Sequence, residues 1–114
     1  LIGRGKEIFW GPQLGDLGRT ENFDRFEKSI VRGLTAKKMK LDGIAHDLHP
    51  GYFSTQFAFR KGFSKVRRVG VQHHHAHIAS IVAEHGLKTP VLGVAFDGTG
   101  FGSDRSWYCQ PSLQ

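Results

Sequence analysis

Apolar positions recur along the chain with two different periods, and the switches between them lay out the elements. Phe23, Phe26, Ile30 and Leu34 follow one another at spacings of three and four, with Glu27 and Lys28 among the polar residues between. That is the stripe of a helix turning every 3.6 residues, so an amphipathic helix is predicted over about 20–34, with Asn22 a reasonable N-cap. Its phenylalanines read as core rather than as a ligand box. Before it, Glu7-Ile-Phe-Trp10 predicts a short strand that Gly11-Pro12 ends, and Gln13 to Arg19 predicts a loop broken by Gly15 and Gly18.

The second half alternates in the same way. Leu41-Asp-Gly-Ile-Ala-His46 predicts a strand that must stop before Pro50, because proline offers no N–H to a central strand. Proline can open a helix, and Tyr52 to Arg60 is expected as one, ended near Gly62. A short β-branched strand ending near Val71 then leads into a helix that Gly86 can close in a left-handed cap. Val91-Leu-Gly-Val-Ala-Phe96 is a nearly continuous apolar run of buried-strand length. Strands alternating with helices on this scale predict an α/β fold with a largely parallel sheet and flanking helices.

Composition narrows the class. With 114 residues and 39% hydrophobic content, one modest core and one domain are the expectation. No run approaches the roughly 18 apolar residues of a membrane span, and no charged-then-apolar leader is visible. Cys109 is the single cysteine, which excludes an intramolecular disulfide and fits a reducing cytoplasm. The net charge of +6 gathers in two clusters, Lys37, Lys38 and Lys40, then Arg60, Lys61, Lys65, Arg67 and Arg68. Such clusters can meet nucleic acid or phosphates, but more often they form a solvated face. The first residue is Leu1 rather than Met, so the chain is expected to begin inside a longer product.

Candidate chemistry concentrates in two places. Four of the seven histidines fall within five residues, His73, His74, His75 and His77. On a helix His73 and His77 are four apart, so their rings leave one face and can each offer a nitrogen to one metal ion. The plainer reading is a polar helix start whose histidines cap the backbone or face water. The second place is Asp97-Gly-Thr-Gly-Phe-Gly102, directly after the apolar run. Its glycines let the backbone turn tightly and aim several N–H groups into one concavity that suits phosphate oxygens. Asp97 could hold a cation on those phosphates and Thr99 could donate a hydroxyl; an ordinary Asp-Gly hairpin turn is the alternative. Asp47 and His49 fall at the carboxyl end of a predicted strand, where open α/β sheets place ligands. By residue type alone, a turn held by the two side chains is the stronger reading.

Val71-Gln-His-His-His-Ala-His-Ile-Ala-Ser80, followed by Gly93-Val-Ala-Phe-Asp-Gly-Thr-Gly100, resembles the C-terminal catalytic region of the HypF family, the carbamoyltransferases of nickel–iron hydrogenase maturation. Leu14-Gly-Asp-Leu17 and His46-Asp-Leu-His-Pro-Gly-Tyr52 look like the same region, so the resemblance runs from about Gly11 to about Asp104. It implies part of an actin-like, sugar-kinase-like nucleotide-binding fold, with residues 1–86 in a first lobe and 91–114 beginning a second. It also implies a reaction. ATP and carbamoyl phosphate give a carbamoyl-adenylate, whose carbamoyl group passes to the terminal cysteine of an acceptor protein, HypE. Residue by residue, His73 and His77 match the metal-binding pair, and Asp97, Gly98, Thr99 and Gly100 match the nucleotide-phosphate loop. Asp47 and His49 become catalytic candidates, and the metal is a divalent ion, iron or zinc.

The related tRNA threonylcarbamoyl transferases carry their own His-x-x-x-His pair and form the alternative, as does a metal- or nucleotide-binding module without catalysis. After Asp104 the family continues with a Trp-Gly-Gly-Glu-like segment, whereas here the chain reads Trp107-Tyr-Cys-Gln-Pro-Ser-Leu-Gln114. An interrupted fragment, inactive by itself, is the expectation.

Overall fold

Gly5 and Lys6 form a two-residue link, with Gly5 at φ +60°, and such a link can join only antiparallel strands. It folds the start of the chain into a hairpin of β1 (Ile2–Arg4) and β2 (Glu7–Phe9), in which Gly3 stands opposite Ile8. The predicted strand at Glu7–Trp10 is present, while β1 was not anticipated. In this computed structural model residues 1–96, 99–102, 104 and 107–109 are described. The chain divides into two units, Leu1–Asp42 and Gly43–Gln114.

In the first unit, α1 (Thr20–Ala36) follows the predicted stripe: Phe23, Phe26, Ile30 and Leu34 are all half-buried. The rings of Phe23 and Phe26 stack with centroids 6.0 Å apart. Gly33 lets the helix come close to the hairpin, since a Cβ there would stand 2.9 Å from Ile2 Cδ1. The helix starts before the predicted Asn22 cap. Arg19 takes the N-cap position without a side-chain bond, and Asn22 instead donates its amide to the Asp16 carbonyl (2.8 Å). At the other end Lys38 adopts φ +49°, donating its N–H to Thr35 O, while Met39 N–H reaches Leu34 O. This is a Schellman closure on a residue that is not glycine.

The second unit is built on one parallel strand pair, β3 (Gly43–Asp47) and β4 (Arg67–Val71), in register from Gly43 opposite Arg67 to Asp47 opposite Val71. The crossover between them holds α2 (Phe53–Ala58), inside the predicted Tyr52–Arg60 helix, and a 3-10 turn at Lys61–Phe63, where that helix was expected to end near Gly62. Thr55, Phe57 and Ala58 on α2 are the buried residues here, and Phe63 sets its ring edge-on to Phe57 at 5.2 Å. After β4 the chain enters α3 (His73–Glu84), which Gly86 closes at φ +60° as predicted. Gly86 N–H reaches Ala83 O and Leu87 N–H reaches Val82 O, a complete Schellman motif.

Three expectations change. Among the described residues the sheet is not largely parallel: three two-stranded sheets are seen, of which only β3–β4 is parallel. Val91–Phe96 is not a strand among the described residues, and Leu92 and Phe96 are 94% and 84% exposed. A strand needs a neighbour, and no described element hydrogen-bonds along this run. Beyond it, β5 (Thr99–Phe101) and β6 (Trp107–Cys109) pair antiparallel, so Thr99 and Gly100, expected in a turn, are strand residues. Among the described residues no helix is long and apolar enough to cross a membrane.

Candidate functional site

The carboxyl ends of β3 and β4 lie side by side, because Asp47 and Val71 are register partners. Gln72 bridges β4 to α3. It keeps an extended backbone, and its side-chain oxygen accepts the N–H of His75 (2.8 Å), capping the helix start. His73 is therefore the first helical residue, placed beside the end of β3.

Asp47 is the hub. Its Oδ1 accepts the backbone N–H of His49 at 2.8 Å, and its Oδ2 accepts from His73 Nδ1 at 3.0 Å. Its own carbonyl accepts the Thr55 hydroxyl at 3.2 Å, tying the strand end to α2. The Asp47 side chain is 16% exposed and that of His73 34%. On the far side of the His73 ring, Nε2 stands 3.3 Å from His77 Nε2, the two rings lying nearly perpendicular at 85°. A carboxylate, an imidazole and a second imidazole thus form a line across the strand end.

His49 occupies the turn below. Gly51 N–H donates to its Nδ1 (2.9 Å), the ring stacks on Tyr52 at 4.3 Å, and it meets Phe101 edge-on at 5.3 Å. Because Nδ1 accepts, the ring proton of neutral His49 sits on Nε2. This is the turn held by Asp and His side chains that residue type alone favoured.

The structure brings Asp47, His73 and His77 together and sets His49 beside them through the backbone. Asp97 and Gly98 lie outside the described residues; Thr99 and Gly100 are in β5, opposite Cys109 and Tyr108. Among the described residues no group of three or more His, Cys, Asp or Glu side chains is arranged to hold a metal ion. An open hollow of about 340 Å³, lined by His77, Ile78, Ile81, Val94, Ala95 and Phe96, adjoins the pair.

Two contributors were missed. Gln72 is an uncommon N-cap type, and only its place between strand and helix hinted at the role. Arg68, counted above in a basic cluster, donates to Ala58 O (2.8 Å) and Phe63 O (3.1 Å) and lies over the Phe59 ring at 4.8 Å. Nothing in its sequence neighbourhood signals that clamp, since its partners come from the crossover. It is a brace rather than part of a solvated face.

A parallel strand pair with a carboxylate-buttressed histidine pair at its carboxyl end defines an α/β domain with a candidate metal centre. The chain belongs to the HypF family, the model of the HypF Kae1-like domain matching residues 1–84. It is 46% identical over 102 residues to the carbamoyltransferase HypF homolog of Cupriavidus necator, covering 89% of this chain and 26% of that protein. With the carbamoyltransferase HypF of Synechocystis sp. it shares 38% identity over 104 residues, 90% of this chain and 13% of the relative. A crystal structure of full-length HypF in the phosphate- and nucleotide-bound form superposes with a TM-score of 0.74 at 40% identity. That match covers 84% of this chain and 12% of the other.

Proposed function

We propose that this chain contributes the metal-binding end of a carbamoyltransferase that uses carbamoyl phosphate and ATP. The product of the first step would be a carbamoyl-adenylate, and the acceptor the C-terminal cysteine of a HypE-like protein in nickel–iron hydrogenase maturation, a cytoplasmic process. The reaction is proposed for proteins of the relatives' length, of which this chain spans 26% and 13% in the two cases above. The finer architecture proposed is part of an actin-like nucleotide-binding fold, with residues 1–86 in one lobe and 91–114 opening the next.

The 3.3 Å between His73 Nε2 and His77 Nε2 carries the reading within this family. Two nitrogens bound at about 2.0–2.1 Å to one tetrahedral ion stand about 3.3 Å apart. The separation of the pair therefore matches two corners of a site for a divalent ion, iron or zinc. Such an ion, when bound, would act as a Lewis acid on phosphate or carbamoyl oxygen. His73 and His77 would hold it from one helix face, and Asp47 with His49 would shape the turn beside them. Asp97, Gly98, Thr99 and Gly100 are proposed as the backbone cradle for nucleotide phosphates, where fixed N–H groups stabilise negative charge.

The test has two arms. Calorimetry with zinc and with iron(II) should show uptake by the chain that His77→Ala weakens or loses. A full-length HypF carrying this segment in place of its own should keep carbamoyl-phosphate-dependent AMP formation from ATP, and His73→Ala in that protein should remove it. Equal metal uptake by the wild-type and His77→Ala chains would move the site elsewhere.

A further inference from the structure

Asp47 presents one carboxylate to two donors on different elements. Oδ1 is engaged by the His49 backbone N–H at 2.8 Å and Oδ2 by the His73 ring at 3.0 Å. The first contact is to the main chain of the turn, so the carboxylate cannot swing away without losing that bond. An ionised carboxylate only accepts hydrogen bonds, so the ring atom facing it, His73 Nδ1, carries a proton. In the neutral ring the lone pair is then on Nε2, the atom that faces His77 Nε2 at 3.3 Å.

We propose that Asp47 is a positioning residue that sets the tautomer and orientation of His73, so that Nε2 is the ligating nitrogen. This deepens the metal reading above and rests on it. Asp47 would act on the ion through the imidazole of His73, the ring its carboxylate contacts. A carboxylate on the far ring nitrogen also makes the ligating nitrogen more basic, and loss of such partners typically weakens metal affinity about 10–100-fold. His77 stands in no such contact with Asp47, so within the pair His73 is the ligand whose donor strength the carboxylate tunes.

Asp47→Asn discriminates sharply, because the amide is not symmetric. Its oxygen must stay on the His49 N–H, which only donates. The NH2 group is thereby turned toward His73 Nδ1 and donates to it, moving the ring proton to Nε2. Two-bond proton–nitrogen NMR spectra of the 15N-histidine-labelled chain, at mildly alkaline pH, read the tautomer directly. Zinc and cobalt(II) titrations read the affinity, and the cobalt absorption spectrum reads the donor set. The wild type is expected as the Nδ1–H tautomer. Asp47→Asn is expected as Nε2–H, with zinc affinity down about 10–100-fold. His77→Ala should lose metal while leaving the His73 tautomer unchanged. An Nε2–H tautomer in the wild type, or an unaltered tautomer and affinity in Asp47→Asn, overturns the proposal. If Asp47→Asn does not fold, the wild-type spectrum decides by itself. Should the wild type bind neither ion while Asp47→Asn still moves the proton, the metal reading falls and the control of His73 by Asp47 stands.

Discussion

The carboxylate of Asp47 and the ring of His73, 26 residues apart in sequence, meet at 3.0 Å between the last residue of β3 and the first of α3. The contact joins the end of β3 to the start of α3 through side chains rather than through the ladder. Its geometry depends on Asp47 being paired in register with Val71, two residues before His73. A slip of one residue in the β3–β4 pairing would turn Asp47 to the other face and break it.

Asp47→Ala removes the acceptor of both the His49 N–H and the His73 ring. The expected loss is on the order of 2 kcal/mol, typical of hydrogen bonds to a partly buried charged group. Urea denaturation followed on the second unit measures it. Hydrogen exchange should accelerate at the His49 amide in particular. A loss below about 0.5 kcal/mol would show that the two bonds merely replace equally good ones to water.

The two Schellman closures make a reciprocal pair. Gly86 and Lys38 hold the same left-handed position after α3 and α1, at φ +60° and +49°. Only glycine adopts it without steric cost. Gly86→Ala should destabilise by about 1 kcal/mol and Lys38→Gly should stabilise by a few tenths to about 1 kcal/mol. Midpoints of chemical denaturation check both signs. The same sign for both substitutions would contradict the shared geometry.

Local periodicity made α1, α3 and the Gly86 closure legible, since a helix is set by neighbours three and four residues away. It also located β3, β4 and the His73–His77 face. What it could not reach depended on partners elsewhere in the chain. Val91–Phe96 has a strand's composition, yet strand formation requires a paired neighbour and the run stays largely exposed. Asn22 has the chemistry of an N-cap, but Asp16 already offers its carbonyl to that side chain, and the helix begins earlier. In the site, the spacing of His73 and His77 was readable, whereas the hold of Asp47 on His73 exists only once β3 and β4 are aligned.

Arg68 illustrates the same dependence with a measurable consequence. It satisfies two carbonyls at the ends of α2 and the 3-10 turn while covering Phe59. Arg68→Ala should cost on the order of 2–3 kcal/mol, adding charge-assisted hydrogen bonds to a cation–π contact. Its exposed neighbour gives the control: Arg67→Ala should stay within about 0.5 kcal/mol. Thermal and urea unfolding of both variants decides. Similar small losses would return Arg68 to the solvated basic face.

His49 and Gly51 are coupled through both contact and space. Gly51 N–H donates to His49 Nδ1 at 2.9 Å, and a Cβ on Gly51 would stand 2.8 Å from His49 Cε1. The methyl of Gly51→Ala must therefore push the imidazole off its stack with Tyr52 and lengthen the hydrogen bond. About 1–2 kcal/mol should be lost, as for other overpacked or bond-breaking changes. Gly51 has no positive φ, so its backbone accepts alanine without strain. The penalty should accordingly vanish in a His49→Ala background, where no ring is displaced. A double-mutant cycle of denaturation midpoints measures this coupling, expected at about 1 kcal/mol or more for residues in direct contact. It also separates two roles for His49. If the ring chiefly holds the turn, His49→Ala lowers stability and moves the Asp47 carboxylate, so metal affinity falls with it. If the ring instead contacts substrate, stability is nearly unchanged, metal uptake persists, and only carbamoyl transfer in a full-length relative is lost. A cycle in which Gly51→Ala costs the same in both backgrounds would place its effect in the backbone and break the link to His49.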